Sequence, residues 1–199
     1  NQDPALSVSY PNYLDWREKN RSFDELAAFI SVEMTLTGEG DAAQLGGWAV
    51  SANLFPLLRR GPVVGRTFRE EEDRVGGDLV VLLSHDLWKE RFGGEPAVIG
   101  RSVTLAGYPW TVVGVMPEGF TFPPPSPRFK ALESAFWVPI GPLAAHWSQH
   151  RDLHPGITVL GRLKRGVTAS QAREEMDLLA AGLEEAYPET NTGQGVSVR

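Results

Sequence analysis

Apolar and polar positions follow changing periods along the chain, and the changes mark its elements. Near the start, Tyr10, Leu14 and Trp16 put aromatic and apolar mass on an amphipathic turn or two, and Pro11 suits a first helical position. Ser22 followed three residues later by Glu25 is a capping-box pattern, which predicts a second short helix over 23–28. Residues 29–37 are β-branched and alternating enough for a strand closed by Gly38 and Gly40, and 44–50 reads as another. Ser51 or Asn53 then caps a short helix through Leu58, which Gly61-Pro62 ends.

Beyond Gly65 the texture changes. Glu70, Glu71, Glu72 and Asp73 form an acidic run before Gly76-Gly77 and read as a solvated linker. The continuous apolar run 79–83 predicts a buried strand, and Ser84 caps the helix after it. In that helix Asp86 lies in the first turn, Leu87, Trp88 and Phe92 face inward, and Gly93-Gly94 stops it. Residues 102–105 and 110–115 pair as strands around Ala106-Gly107-Tyr108-Pro109. Pro123, Pro124, Pro125 and Pro127 predict a stiff extended loop, and 136–140 one more strand.

The last third is the most regular. Residues 157–163 read as a strand, Lys164-Arg165-Gly166 as a turn, and Thr168 with Gln171 as a capping box. The helix that follows carries Ala172, Met176, Leu179, Ala180, Leu183 and Tyr187 on one face and ends before Pro188. A strand pattern begins at Val196. The order strand, helix, incipient strand is half of a split β-α-β unit. The expected fold class is therefore α+β: a split β-α-β part built from residues 1–65 and 148–199, with a smaller mixed α/β part, 66–147, inserted into it.

Composition changes this picture in three places. With 21 glycines and 15 prolines in 199 residues the chain turns often, which argues against a bundle of long helices. A net charge of −6 argues against a nucleic-acid partner, because phosphate contacts need a basic face. Cysteine is absent, which removes disulfides, thiolate metal sites and cysteine nucleophiles together. No apolar run approaches the roughly 18 residues of a membrane helix. The first residue is not methionine and the last strand pattern breaks off, so the chain is expected to be a soluble piece of something longer.

Candidate chemistry is sparse. His146, His150 and His154 are spaced i, i+4, i+8, and on one helix face would stack as ligands for zinc or nickel. Against this, the segment holds Trp147 and runs into Pro155-Gly156, and H-E-x-x-H is missing. The acidic run lacks the ligand alternation and turn glycine of an EF-hand loop. Ser84-His85-Asp86 has the residue types of a catalytic triad, but sequence neighbours point apart and Ser84 is explained as a cap. There is no nucleophile elbow and no phosphate-binding loop. The six tryptophans, Trp16, Trp48, Trp88 and Trp110 among them, fall mostly at expected core positions. No catalytic residue and no cofactor is assigned, and no metal site beyond the three histidines.

Several stretches, taken in order, carry a resemblance. They are Ser9-Tyr10-Pro11-Asn12-Tyr13-Leu14-Asp15-Trp16-Arg17; Val50-Ser51-Ala52-Asn53-Leu54-Phe55; and Gly65-Arg66-Thr67-Phe68 with Glu71-Glu72-Asp73. Leu82-Leu83-Ser84-His85 follows, leading to Trp88 and Arg91-Phe92-Gly93-Gly94, and then Val98-Ile99-Gly100-Arg101 and Leu105-Ala106-Gly107. The series closes with residues 111–117, Gly161-Arg162-Leu163-Lys164, Gly166-Val167-Thr168 and Tyr187-Pro188-Glu189-Thr190-Asn191. Together they resemble the MacB-like periplasmic core domain, as found in duplicated orphan permeases of the FtsX-like ABC transporter class, over nearly the whole chain.

The resemblance implies a non-catalytic domain on the periplasmic, extracytoplasmic face of the inner membrane, between membrane helices of its own permease chain. It implies a porter-like part with an inserted part, and partners in a cytoplasmic ATPase subunit and a periplasmic adaptor. In such transporters the domain relays conformational change during export. The isolated domain is expected to be monomeric. The competing expectation is a soluble peptide- or lipid-binding or sensing module with a groove between its two parts; a histidine-based metal-binding protein is the third.

Overall fold

The computed structural model describes residues 7–124 and 134–198. Pro125 and Pro127 of the expected proline loop lie outside the described residues. In chain order the elements are α1 (Tyr10–Lys19), β1 (Phe23–Thr37), β2 (Ala43–Val50), α2 (Leu54–Leu58), β3 (Val64–Gly65), β4 (Val80–Leu83) and α3 (His85–Phe92). They continue with β5 (Ser102–Leu105), β6 (Tyr108–Val115), β7 (Phe136–Pro139), α4 (Ile140–Leu143), β8 (Thr158–Leu163), α5 (Ala169–Ala186) and α6 (Pro188–Asn191). The class is α+β, with parallel and antiparallel ladders mixed.

The chain divides into two compact units, one of Asn1–Ile30 with Ala144–Arg199 and the other Ser31–Leu143. Residues 31–65 therefore group with 66–143. The reason is pairing: Leu36 and Thr37 of β1 lie opposite Leu105 and Thr104 of β5, and β2 runs parallel to β7.

In the unit made from the two ends, β1 and β8 pair antiparallel from Phe23↔Leu163 to Phe29↔Thr158, with an irregularity between Phe23 and Glu25. This corrects the helix expected over 23–28. Leu26, Ala27, Ala28, Phe29 and Ile30 are all buried, and a continuous buried run suits a strand held by a long-range ladder. No helix opens at Ser22, whose amide donates to Glu175 at 2.8 Å. The signals at α5 are honoured. Thr168 and Gln171 close a reciprocal capping box, and Ala172, Met176 and Leu183 are the buried face. Leu179 and Ala180 are only half-buried, and Tyr187 is exposed. Residues 196–198 form no strand; the Val198 carbonyl accepts a hydrogen bond from the Arg173 guanidinium at 3.0 Å.

In the other unit the hydrogen-bonded order is β2-β7-β4-β6-β5-β1, with β3 on β6. β4 lies between antiparallel β7 and parallel β6, and all four of its residues are buried, which explains why its sequence does not alternate. Ser84 caps α3 by accepting from the Leu87 amide, and Gly93 ends it in the left-handed conformation. β3 depends on one glycine: Gly65 has φ +81°, and a Cβ there would overlap the Val113 carbonyl. Among the described residues, no helix is long and apolar enough to cross a membrane.

Candidate functional site

Polar side chains form two clasps, one in each unit, and neither contains a residue to which the sequence assigned a role. In the first unit, Ser9 accepts from the Asn12 amide and opens α1, and that turn buries Asn12 and Tyr13. Asn12 Nδ2 donates to Asn191 Oδ1 at 3.4 Å, and Asn191 Nδ2 returns a bond to Asn12 Oδ1 at 3.2 Å. Both side chains are buried, although 179 positions separate them in the chain. Arg151 reaches the same point, donating to Asn12 Oδ1 at 2.8 Å and pairing with the Asp15 carboxylate at 2.7 Å. Its guanidinium stacks 3.7 Å from the Tyr187 ring centre. Asp15 also pairs with Lys19 one turn on, at 2.7 Å. Burial works against ionisation of Asp15, but the bonds and charges of Lys19 and Arg151 outweigh it and hold its pKa below the usual value.

Nearby, the Glu175 carboxylate of α5 accepts from the backbone amides of Arg21 at 2.6 Å and Ser22 at 2.8 Å. Burial raises the cost of its charge; the bonds from Ser22 and Arg21 win, and its pKa is lowered. The segment between α1 and β1 is thus tied to α5, just as α1 is tied to α6.

The second clasp contains the acidic run. Arg66 and Glu72 make a two-pronged pair, Nη2 to Oε1 at 2.6 Å and Nη1 to Oε2 at 2.9 Å, and Glu72 also accepts from the Arg69 amide at 2.8 Å. The Asp73 carboxylate accepts from the amides of Ala52 and Gly141, each at 2.8 Å, so it joins the loop after β2 to the start of α4. Gly141 permits this, since a Cβ there would overlap the Asp73 backbone. The run is therefore no solvated linker at these two positions. Its charges sit where amides and a guanidinium need acceptors.

Electrostatics at Glu72 give a testable consequence. Desolvation pushes its pKa up, but the bonds from Arg66 and the Arg69 amide prevail and hold the carboxyl below the usual glutamate range. Arg66 is shifted the other way, held more firmly protonated by Glu72. A carboxylate with a lowered folded pKa stabilises the fold above its unfolded pKa, and that contribution disappears as pH falls through the folded value. Glu72→Gln should cost about 1–2 kcal/mol at pH 7, a range that allows for the partial exposure of Arg66. Guanidinium titrations at pH 7 and pH 3 check this: the gap between the two proteins should narrow at pH 3, and an equal gap at both would contradict the assignment.

The histidines do not assemble. The chain leaves α4 at Leu143, makes a single 3-10 turn at Ala144–His146 and then turns, so the i, i+4, i+8 face does not form. His150 lies near Asp152, and His154 Nδ1 contacts the Ser7 carbonyl at 3.1 Å. Among the described residues no group of three metal-ligating side chains is found. Ser84, His85 and Asp86 act as cap and first helical turn. Of the tryptophans, Trp48, Trp88, Trp110 and Trp137 are core residues, whereas Trp16 and Trp147 are half-buried. Sequence reasoning did not find Arg151 or the pairing of the two asparagines. Its only signal was that Asn12 and Asn191 both stand in stretches that carry the family resemblance.

The architecture is that of extracytoplasmic domains of ABC-type transporters. It matches the periplasmic region of MacB from Actinobacillus actinomycetemcomitans with a TM-score of 0.67 at 13% identity, over 94% of this chain and 77% of that one. The extracellular domain of the noncanonic ABC-type transporter YknZ from Gram-positive bacteria gives 0.65 at 17% identity, over 95% and 88%. A domain of a permease protein from Porphyromonas gingivalis gives 0.66 at 14% identity, over 94% and 76%. No curated protein sequence matches the chain. The sequence profile of the MacB-like periplasmic core domain matches residues 2–179, and the chain belongs to that family.

Proposed function

We propose that this domain serves an ABC-type permease as a non-catalytic relay, passing conformational change across the extracytoplasmic side of the membrane and docking a partner or cargo during export. The unit built from the chain ends acts as the porter-like part and Ser31–Leu143 as the inserted part. Its partners on this reading are the membrane-embedded remainder of its own chain, a cytoplasmic ATPase subunit and a periplasmic adaptor. The observation that carries the reading is the Asn12–Asn191 clasp with Arg151 and Asp15. It ties α1 to α6, so displacement of one element is passed to the other instead of being absorbed between them. A relay needs stiffness between its input and output; buried reciprocal amide bonds supply it.

The test uses the whole permease with its ATPase subunit in liposomes. This domain has no cysteine, so in a permease whose remaining segments are cleared of cysteine an environment-sensitive dye can be placed at Leu178→Cys on α5, where the native side chain is 75% exposed. ATP should change the dye's emission, and Asn12→Ala with Asn191→Ala should abolish that change while ATP hydrolysis persists. An unaltered ATP response in the double variant would sink the relay role of the clasp.

A further inference from the structure

The unit built from the chain ends carries its charges unevenly. Phe23 stands opposite Leu163 in the β1–β8 ladder, and the Lys164 amide continues it by donating to the Ser22 carbonyl at 2.9 Å. The stretch 17–25 and the end of β8 with its turn, 162–165, therefore meet at one pole of the unit. Together they hold six cations and three carboxylates, the reverse of a chain with 19 against 25 overall. From this pole α5 leads to an acidic end, with Glu184 and Glu185 in its last turn and Glu189 in the first turn of α6.

The cations at the tip of this pole are not used up by the fold. Arg21, Lys164 and Arg165 are exposed. Among the described residues, neither Lys164 nor Arg165 has an ion-pair or hydrogen-bond partner for its side chain. Arg21 acts on Glu175 through its charge, while the oxygens of that carboxylate accept from the Arg21 and Ser22 amides. A single exposed lysine or arginine is ordinarily solvated. Three together, on the side where acids are sparse, set up a positive field. The last described residues come to the same place, since Arg173 in the second turn of α5 donates to the Val198 carbonyl at 3.0 Å. A chain that goes on from Val198 into a membrane segment leaves the unit from its basic pole.

We propose that this pole is a docking surface for the anionic phospholipid headgroups of the permease's own membrane, with Arg21, Lys164 and Arg165 on the phosphates and the acidic end of α5 turned away. Phosphates attract these cations, and repulsion of the acidic end fixes the orientation. The inference rests on the domain's place in a permease and not on the relay, so either can fail alone. Its test uses the full-length permease, cleared of cysteine elsewhere, with a fluorophore at Ala169→Cys, an exposed residue of the same pole. The protein is set in nanodiscs of phosphatidylglycerol or of phosphatidylcholine, each with a trace of headgroup-spin-labelled lipid that quenches on contact. Quenching should be deeper in phosphatidylglycerol, and the excess should vanish near about 1 M salt, where charges are screened within roughly 3 Å. Each cation near an anionic surface contributes about fivefold to the contact equilibrium, so Arg21→Gln, Lys164→Gln and Arg165→Gln together should abolish the excess. Lys164→Arg keeps the charge and should keep the quenching. Arg59→Gln, Arg60→Gln and Arg74→Gln together remove three exposed cations of the other unit and should leave it unchanged. Three results would overturn the proposal: equal quenching in the two lipids, an excess that survives the loss of the three pole cations, or an equal loss in the control triple.

Discussion

Replacing Trp88 by alanine is expected to destabilise the Ser31–Leu143 unit by about 3–5 kcal/mol, the usual cost of deleting a large aromatic side chain from a core. Trp88 lies on the inner face of α3 with 7% of its surface exposed. Its ring meets His85 at 5.6 Å in an edge-to-face arrangement, and Lys89 Nζ stands 4.8 Å from its centre. Its indole N–H donates to the Glu95 carbonyl at 3.0 Å, fastening α3 to the loop beyond Gly93-Gly94. Trp88→Phe should therefore lose both volume and a bond, about 1–2 kcal/mol. Denaturation followed by far-ultraviolet circular dichroism checks both values. A change under about 1 kcal/mol for Trp88→Ala would mean that the packing described for α3 is wrong.

Trp137→Ala should have an effect of the same size, about 3–5 kcal/mol, through different contacts. Trp137 is wholly buried in β7, opposite Trp48 of β2 and Leu82 of β4, and its ring packs on Phe120 at 5.3 Å and Phe55 at 6.3 Å. Its indole N–H has no hydrogen-bond partner among the described residues. Trp137→Phe thus removes an unpaired donor together with some volume, and the two effects oppose each other. It should cost less than about 1.5 kcal/mol and less than Trp88→Phe. The reverse order would show that the Trp137 indole is bonded after all.

These tryptophans also show what local sequence signals reveal. The helix carrying Trp88 was legible from end to end: a serine cap, an inward apolar face and a glycine pair at its close. The same holds for the capping box of α5, for Ala172, Met176 and Leu183 of its predicted face, and for the apolar run of β4. The expectation failed at residues 23–28, where a capping-box spacing was overridden by a ladder to β8 more than 130 positions away. Spacing within six residues carries no information about a partner strand. It failed likewise for Glu72 and Asp73, because an acidic run reads as solvated until the guanidinium and amides that need it are located. The three histidines are the converse case, a regular spacing that needs one continuous helix where Leu143 ends one and a 3-10 turn follows.

The clasps lie between these extremes. Asn12 and Asn191 stand in stretches that carry the family resemblance, Tyr10-Pro11-Asn12 at one end and Glu189-Thr190-Asn191 at the other, without any sign that the asparagines bond to each other, and Arg151 stands in none. Amide pairs carry no charge pattern or periodicity, so only the fold reveals them. Family membership and architecture give the setting; the mechanical role of the clasp is the proposal made for it.

As a MacB-like periplasmic core domain, this part of the protein stands outside the cytoplasmic membrane. With no native cysteine in the chain, Leu178→Cys in the full-length protein is a unique thiol on this domain at an exposed position of α5. A membrane-impermeant maleimide added to spheroplasts, from which the outer barrier has been removed, should label it as completely as it does after detergent lysis. Labelling only after lysis would place the domain in the cytoplasm and contradict the account.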